Sequence, residues 1–215
     1  MMNFLYAYRG WILGAMALAL LAMPAAPLDL QVPVADYVFG KTAPVAILEL
    51  SLAVLVLLSS VCLRVQSRRS IGEHTRGFRH DAEYLVTEGI YSRIRHPLYL
   101  SNTGIAYSFV IFHLGFNLSA LPFVVAVIAL ELTLVKAEDR YLENRFQQEW
   151  RSWKSKTPSF FPRLNMSMNY DKNIGSRGPE NSTCRRSFVQ AFKADWSTWV
   201  WLCIFVVLLF LRKVL

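Results

Sequence analysis

An all-α, polytopic membrane helical bundle is the fold class this sequence predicts, with about five transmembrane helices and a cytoplasmic amphipathic helix after the fourth. Three observations carry that expectation. Of the 215 residues, 54% are hydrophobic, and the mean hydropathy is +0.31. The apolar residues are bunched into long runs rather than spread as periodic stripes, which is membrane-protein composition. The basic residues crowd into two of the segments that separate those runs.

Crossing a hydrocarbon core of roughly 30 Å takes about 20 helical residues. Four runs are read as reaching that scale: Trp11 to Ala26, Ala43 to Leu63, Leu98 to Gly115 and Leu118 to Val135. A fifth, Trp196 to Leu211, reaches only about 24 Å at about 1.5 Å per residue. It spans if Arg212 and Lys213 snorkel, and otherwise it lies shallow. The first run, followed by "MPAAP", has features of a cleaved signal peptide. Against that reading, its leading segment carries only Arg9 as a basic residue, is aromatic, and is soon followed by a second apolar span.

The formal charge of +8 would invite a nucleic-acid reading in a soluble protein. Location decides otherwise. Arg64, Arg68, Arg69, Arg76, Arg79, Arg93 and Arg95 lie between the second and third runs, and another basic set from Arg140 to Arg163 follows the fourth. The loop between the first two runs offers only Lys41, and "GFN" between the third and fourth offers none. By the positive-inside rule both basic segments, and with them the amino terminus, are cytoplasmic. Attraction to anionic lipid headgroups follows, and no nucleic-acid partner is needed. Cys62, Cys184 and Cys203 are too widely separated for a disulfide framework or a zinc site, so no metal is expected.

Along the chain, residues 1–63 read as an amino-terminal transmembrane hairpin with a proline-containing outer loop. Residues 64–164 form a core built from a polar connection, a helical hairpin over 98–135 around Gly115 and Asn117, and a following helix. In that helix Tyr141, Leu142, Phe146, Trp150 and Trp153 recur at helical spacing between charges, which argues for an amphipathic helix on the membrane surface. Pro158 and Pro162 end it. Residues 165–215 read as a polar loop from Asn165 to Thr183, a short helix, and the terminal apolar run.

The chemistry concentrates in "EGIYSRIRHPLYLSNTG", residues 88–104. Pro97 suits the first turn of a helix, where a missing amide hydrogen costs nothing, so "RHP" opens the third span at the interface. A bland account is available: a positive-inside cluster in which His96 snorkels and Tyr91 and Tyr99 are interfacial aromatics. The fourth span, however, returns to the same side and ends in "ELTLVKAEDRYL", which brings Glu138 and Asp139 to the level of His96. Carboxylates this close to hydrocarbon need partners or a function, and salt bridges to Arg93, Arg95 or Lys136 are one outlet. Glu131 and Glu49 lie deeper, and each implies a buried partner or a polar cavity. A histidine, tyrosines and an acidic pair can hold a cationic sulfonium cofactor, with carboxylates on its ammonium and hydroxyls and aromatic faces against its charge.

"EYLVTEGIYSRIRHPLY" followed, after one helical hairpin, by "EDRYLENRFQQEWRSWKSKTPSFFPRL" resembles the integral-membrane methyltransferases related to isoprenylcysteine carboxyl methyltransferase and the phospholipid N-methyltransferases. The resemblance covers roughly residues 83 to 163. It implies a membrane-embedded, S-adenosylmethionine-dependent methyltransferase acting on a lipophilic acceptor, an isoprenylcysteine-like carboxylate or another lipid-borne group. Carried over by position, the cofactor would contact Glu83, Tyr84, Leu85 and Val86, then Tyr91, then His96, Pro97, Leu98 and Tyr99, and finally Glu138 and Asp139. His96 and Glu138 are the expected catalytic residues, with Arg93, Arg95 and Glu131 as candidates on the acceptor side.

Two departures stand out. The family's "FG" after the acidic pair is Phe146 and Gln147 here, which weakens the expectation of a tight turn. The isoprenylcysteine enzymes carry a substrate-binding arginine about one turn before the acidic pair, and Leu134 occupies that position. Leucine cannot clamp a carboxylate as an arginine does, so phosphatidylethanolamine N-methylation is an alternative. Methyl transfer to a carboxylate needs no base, whereas an ammonium acceptor must first lose a proton, to His96, Glu138 or Glu131. Non-enzymatic readings are a haem carrier, disfavoured because His96 and His113 lie at opposite ends of one span, and a transporter using Glu49 and Glu131, disfavoured by the lack of an internal repeat.

Overall fold

The computed structural model describes residues 2–24, 43–71, 84–161 and 186–214. All regular structure among them is helical: α1 (Met2–Ala22), α2 (Ala43–Ile71), α3 (Pro97–Leu114), α4 (Leu121–Lys156), α5 (Phe188–Ala194) and α6 (Trp196–Val214), with 3-10 turns at Gly89–Ser92 and Leu118–Ala120. The proline-containing loop between the first two apolar runs, residues 72–83 with Glu83, and the polar stretch from Asn165 to Thr183 lie outside the described residues.

Among the described helices, Leu48–Ile71 and Leu118–Lys156 are long and apolar enough to cross a membrane, and α5 with α6 makes a third if taken as one broken span. Length and composition thus support two or three crossings, against the five expected. The shortfall has local causes. Ser101, Asn102, Thr103 and Gly104 dilute the apolar character of α3, and the apolar part of α1, Trp11–Ala22, is only about 18 Å long.

The chain divides into two compact units. One comprises Met1–Ala7, Cys62–Ser101 and Leu132–Ala194; the other comprises Tyr8–Val61, Asn102–Glu131 and Asp195–Leu215. The stretch 64–164, read from the sequence as one core, contributes to both.

In the second unit Leu20, Val110, Leu114 and Ala120 form a buried cluster, flanked by Phe109, Phe123 and Phe205. Phe109 and Phe205 meet edge to face at 5.0 Å. Between helices in lipid, such contacts work by close packing rather than by expelling water. Gly104 shows how close that packing is, since a Cβ there would strike Ser60 Oγ. Two polar side chains in the same unit take a backbone partner. His113, fully buried, donates from Nε2 to the Met23 carbonyl at 3.1 Å, just past the end of α1. Glu49 accepts the Phe116 amide at 2.8 Å. That amide belongs to the turn closing α3, where Gly115 (φ 66) donates back to the Ile111 carbonyl and Asn117 caps Leu118–Ala120 by accepting from the Ser119 amide. A Cβ on Gly115 would lie 3.2 Å from both Glu49 oxygens, so the left-handed turn and the carboxylate both require glycine. Glu49 therefore has the partner its burial demanded.

In the first unit Ile71, Leu85, Tyr91, Trp150 and Trp153 form the core, with Val86, Ile90, Leu98, Leu142 and Phe146 packed on it. The apolar stripe assigned from the sequence to the membrane surface is thus largely covered by protein. It reaches that core because α4 is broken at Gln147, whose φ of 42 and ψ of −109 are non-helical. The turn that "FG" would supply exists here with glutamine in the glycine position, contrary to the expectation that the substitution weakens it. Burying Trp150 and Trp153 to 1% and 5% exposure is worth more than the roughly 1–3 kcal/mol of strain at one residue.

Two stability predictions follow from these positions. Glu49→Ala, which strips the Phe116 amide of its acceptor, lowers stability by about 1–3 kcal/mol, and Glu49→Gln by less, both read as thermal unfolding in detergent. Gln147→Gly raises it by about 1 kcal/mol by releasing the strained φ; an unchanged or lower midpoint would count against strain at this residue.

Candidate functional site

The approach to α3 is fixed before any functional group is placed. Gly89 (φ 65) starts a 3-10 turn in which Arg93 and Ile94 both donate to the Ile90 carbonyl at 3.0 Å. Tyr91 is buried in this turn, and its carbonyl accepts from Trp153 Nε1 at 3.2 Å, which ties the turn to the far side of the break in α4. The chain then runs to Pro97, the first residue of α3, while the His96 carbonyl accepts the first helical bond, from Leu100. The proline therefore sits where its missing amide is harmless, as expected.

Arg95 and His96 are clamped by the segment that follows α4. Their amides donate to the Pro158 and Ser159 carbonyls at 2.9 and 3.0 Å. The Arg95 guanidinium uses each of its nitrogens: Nε to the Thr157 carbonyl at 2.9 Å, Nη2 to Ser159 Oγ at 2.6 Å, and Nη1 to both Asp139 oxygens at 3.2 Å. Its Cζ lies 5.9 Å from the centroid of the Trp150 ring, and Lys154 Nζ lies 4.4 Å from it.

The His96 ring lies between two consecutive carboxylates. Nε2 is 2.8 Å from Asp139 Oδ1, and Nδ1 is 3.5 Å from Glu138 Oε2. Neighbouring residues on a helix point about 100° apart, so one ring reaches both only by using its opposite edges. A neutral imidazole would turn a lone pair toward one of the carboxylates, whereas the protonated ring offers a donor to each. Burial alone pushes the His96 pKa down, but the hydrogen bonds and charges of Asp139 and Glu138 outweigh it and hold it above the ordinary 6.5. For Asp139, burial pushes up, and His96, Arg95 and Lys154 together hold the carboxyl below its ordinary 3.8. The Glu138 side chain is 33% exposed, against 20% for Asp139, so Glu138 is the carboxylate open to a ligand. Tyr99 meets the His96 ring edge-on at 5.8 Å, and Phe160 lies tilted at 6.1 Å.

Of the positions expected from the sequence, His96, Arg95, Tyr99, Glu138 and Asp139 converge in this one unit. Leu85 and Tyr91 belong to its core, against which Val86 and Leu98 pack. Pro97 is fully buried, Tyr84 is half-buried, and Arg93 is exposed. Glu83 is outside the described residues, and Glu131, 2% exposed, belongs to the other unit. Leu134 is 1% exposed and so presents nothing to a ligand at the position where an arginine would clamp a carboxylate. His96 and His113 stand at opposite ends of α3, about 25 Å apart along the helix. Sequence reasoning missed Thr157, Ser159 and Phe160 as parts of the site. The only signal for them was the "TPSFFP" motif, which says nothing about what its backbone carbonyls face.

Residues 48–149 match the family model described as phospholipid methyltransferase. The cobalt-zinc-cadmium resistance protein CzcN of Cupriavidus metallidurans is 40% identical over 87 residues, 38% of this chain and 37% of that protein. The chain thus matches little more than a third of the length of this curated relative. Among the described residues no group of three or more His, Cys, Asp or Glu side chains could hold a metal ion. No solved structure matches. The matched stretch, just under half of the chain, contains the Tyr91 turn, His96, Glu138 and Asp139, and as a phospholipid methyltransferase domain it is part of the isoprenylcysteine and phospholipid methyltransferase family of membrane proteins.

Proposed function

We propose that this protein transfers a methyl group from S-adenosylmethionine to a lipophilic acceptor in the membrane. The observation that carries the proposal is the convergence of His96, Glu138 and Asp139 inside a domain of this family. The donor set suits such a cofactor: a partly exposed carboxylate can take an ammonium, and the aromatic rings of Tyr99 and Phe160 stand beside His96. When bound, the cofactor supplies an electrophilic methyl group on a sulfonium and leaves as a neutral thioether.

The chain's own residues then have separate tasks. Glu138 binds the cationic end of the cofactor. His96, with both ring nitrogens turned to carboxylates, orients Glu138 and Asp139 rather than acting as the base, for which its raised pKa and engaged ring are poorly suited. Arg95 is a positioning residue that holds Asp139 and the Thr157–Ser159 segment around the histidine. With the basic segments inside, the site lies at the cytoplasmic face, where an acceptor enters sideways from the bilayer. Leu134 and the family description together favour a phospholipid amine over a prenylcysteine carboxylate. Incubating purified protein with labelled cofactor and a total lipid extract, and identifying by mass spectrometry which species gains label, tests the proposal. Saturable cofactor binding with label in no lipid would overturn it.

Glu138→Gln and His96→Ala each weaken S-adenosylmethionine binding by about 10- to 100-fold, on the scale of a lost hydrogen bond to a charged group, as measured by titration with labelled cofactor. Normal binding and turnover in both variants would remove these residues from the site. The cluster also sets a pH window for stability. The His96 pKa is raised, so its contribution is complete below 6.5 and fades as pH climbs through the raised value. The Asp139 pKa is lowered, so its contribution is present above 3.8 and is lost as pH falls through the depressed value. Unfolding midpoints recorded across pH should therefore be highest between these limits and drop on the alkaline side, and His96→Ala should flatten that alkaline drop.

A further inference from the structure

The seven residues of α5 (Phe188–Ala194) are too few for a helix to persist by itself in water. Two features define it all the same. Ser187 and Gln190 form a reciprocal cap, in which the Gln190 amide donates to Ser187 Oγ at 3.2 Å and the Ser187 amide donates to Gln190 Oε1 at 2.9 Å. Ala191 is fully enclosed, and α5 belongs to the compact unit that holds His96 and Glu138. The remaining side chains are sorted by face. At about 100° per residue, Phe188, Phe192 and Val189 share one arc, and they are 60%, 38% and 58% exposed. Lys193 and Gln190, both exposed, follow on the next arc, and Ala191 and Ala194 occupy the third. A helix inside a span is apolar all round, and a helix in water keeps its apolar side on protein. With one apolar, one polar and one enclosed arc, α5 has instead the pattern of a helix lying along a bilayer surface. Its place in the chain agrees. The apolar helix α6 opens two residues later with Trp196, a residue type that collects at the membrane–water interface.

We infer that α5 is an interfacial anchor: Phe188, Val189 and Phe192 insert at the boundary between the headgroups and the acyl chains of a phospholipid leaflet, and Gln190 faces water. Lys193 stands on the flank of the apolar arc, where its stem follows the apolar side chains and its ammonium meets the lipid phosphates, a match of charge as well as of polarity. A bilayer fits this face better than a protein does. Three side chains on a seven-residue helix offer well under the roughly 800 Å² per partner of a stable protein interface, whereas a leaflet requires no matching shape. The anchor stands independently of the methyltransferase reading, and one consequence joins the two. Because α5 is part of the unit of His96 and Glu138, its insertion keeps the exposed carboxylate within reach of an acceptor that stays in the leaflet.

Trypsin cleaves after Arg186 and Lys193, so nearly all of α5 is recovered in the single peptide 187–193. The full chain is placed in phosphatidylcholine nanodiscs containing a phospholipid that carries a carbene-generating group either next to the glycerol or at the end of an acyl chain, then irradiated and digested. The expected result is a lipid adduct on peptide 187–193, several-fold stronger from the shallow group than from the deep one and carried by Phe188, Val189 or Phe192. When Phe188→Gln and Val189→Gln are combined, the adduct on Phe192 falls several-fold while labelling of α2 stays as it was. No adduct from either group means that the face lies in water or under protein, a second copy of the chain included, and overturns the inference. Labelling by the deep group as strong as by the shallow one makes α5 part of a span and overturns it too. So does a Phe192 adduct indifferent to the double substitution, because the apolar arc is then not what holds the helix in the leaflet. Saturable binding of labelled S-adenosylmethionine, read on the same discs, bears on the methyltransferase reading alone.

Discussion

One imidazole ring held between two consecutive carboxylates organises the first unit. Because Glu138 and Asp139 diverge around their helix, only a ring enclosed between them and fixed in depth can touch both. Its depth is set by its own backbone. The His96 carbonyl caps α3, and the His96 and Arg95 amides are bound to carbonyls beyond the end of α4. Arg95 and Trp153 close the arrangement, one by engaging Asp139, Thr157 and Ser159, the other by gripping the Tyr91 carbonyl. Each of these bonds joins chain segments more than forty positions apart. With His96 protonated, the four charges Arg95, His96, Glu138 and Asp139 balance, which is the condition under which buried charge is tolerable.

The break at Gln147 serves the same end. A straight helix would carry Trp150 and Trp153 onward past Phe146, away from the Tyr91 turn. Reversal of the local backbone lets Leu142 and Phe146 on one side of the break, and Trp150 and Trp153 on the other, pack on a single core. A residue with a side chain accepts an unfavourable φ here because aromatic burial outweighs local strain. The consequence is functional, since the segment carrying Thr157, Ser159 and Phe160 is thereby returned to His96.

The second unit solves a different problem, that of polar atoms among apolar helices. Glu49 and His113 both look like functional residues in a linear reading, yet each has a backbone partner at a helix end, where amides and carbonyls are left over.

Composition and run length determined from the sequence alone that the chain is helical and membrane-embedded, because hydrophobic run length is a one-dimensional property. The motif around His96 and the acidic pair pointed to residues that the fold brings into contact, and Pro97 announced the start of α3, because a proline's preference for the first turn is local. The number of crossings was not legible, since α1 and α3 fall short of simple length and composition tests while still packing as helices. Nor were the ring's two-sided contact, the guanidinium spread over Asp139, Thr157 and Ser159, or the turn kept without glycine at position 147. Those depend on which segments are brought face to face by burial of Trp150 and Trp153, and only the folded chain decides that.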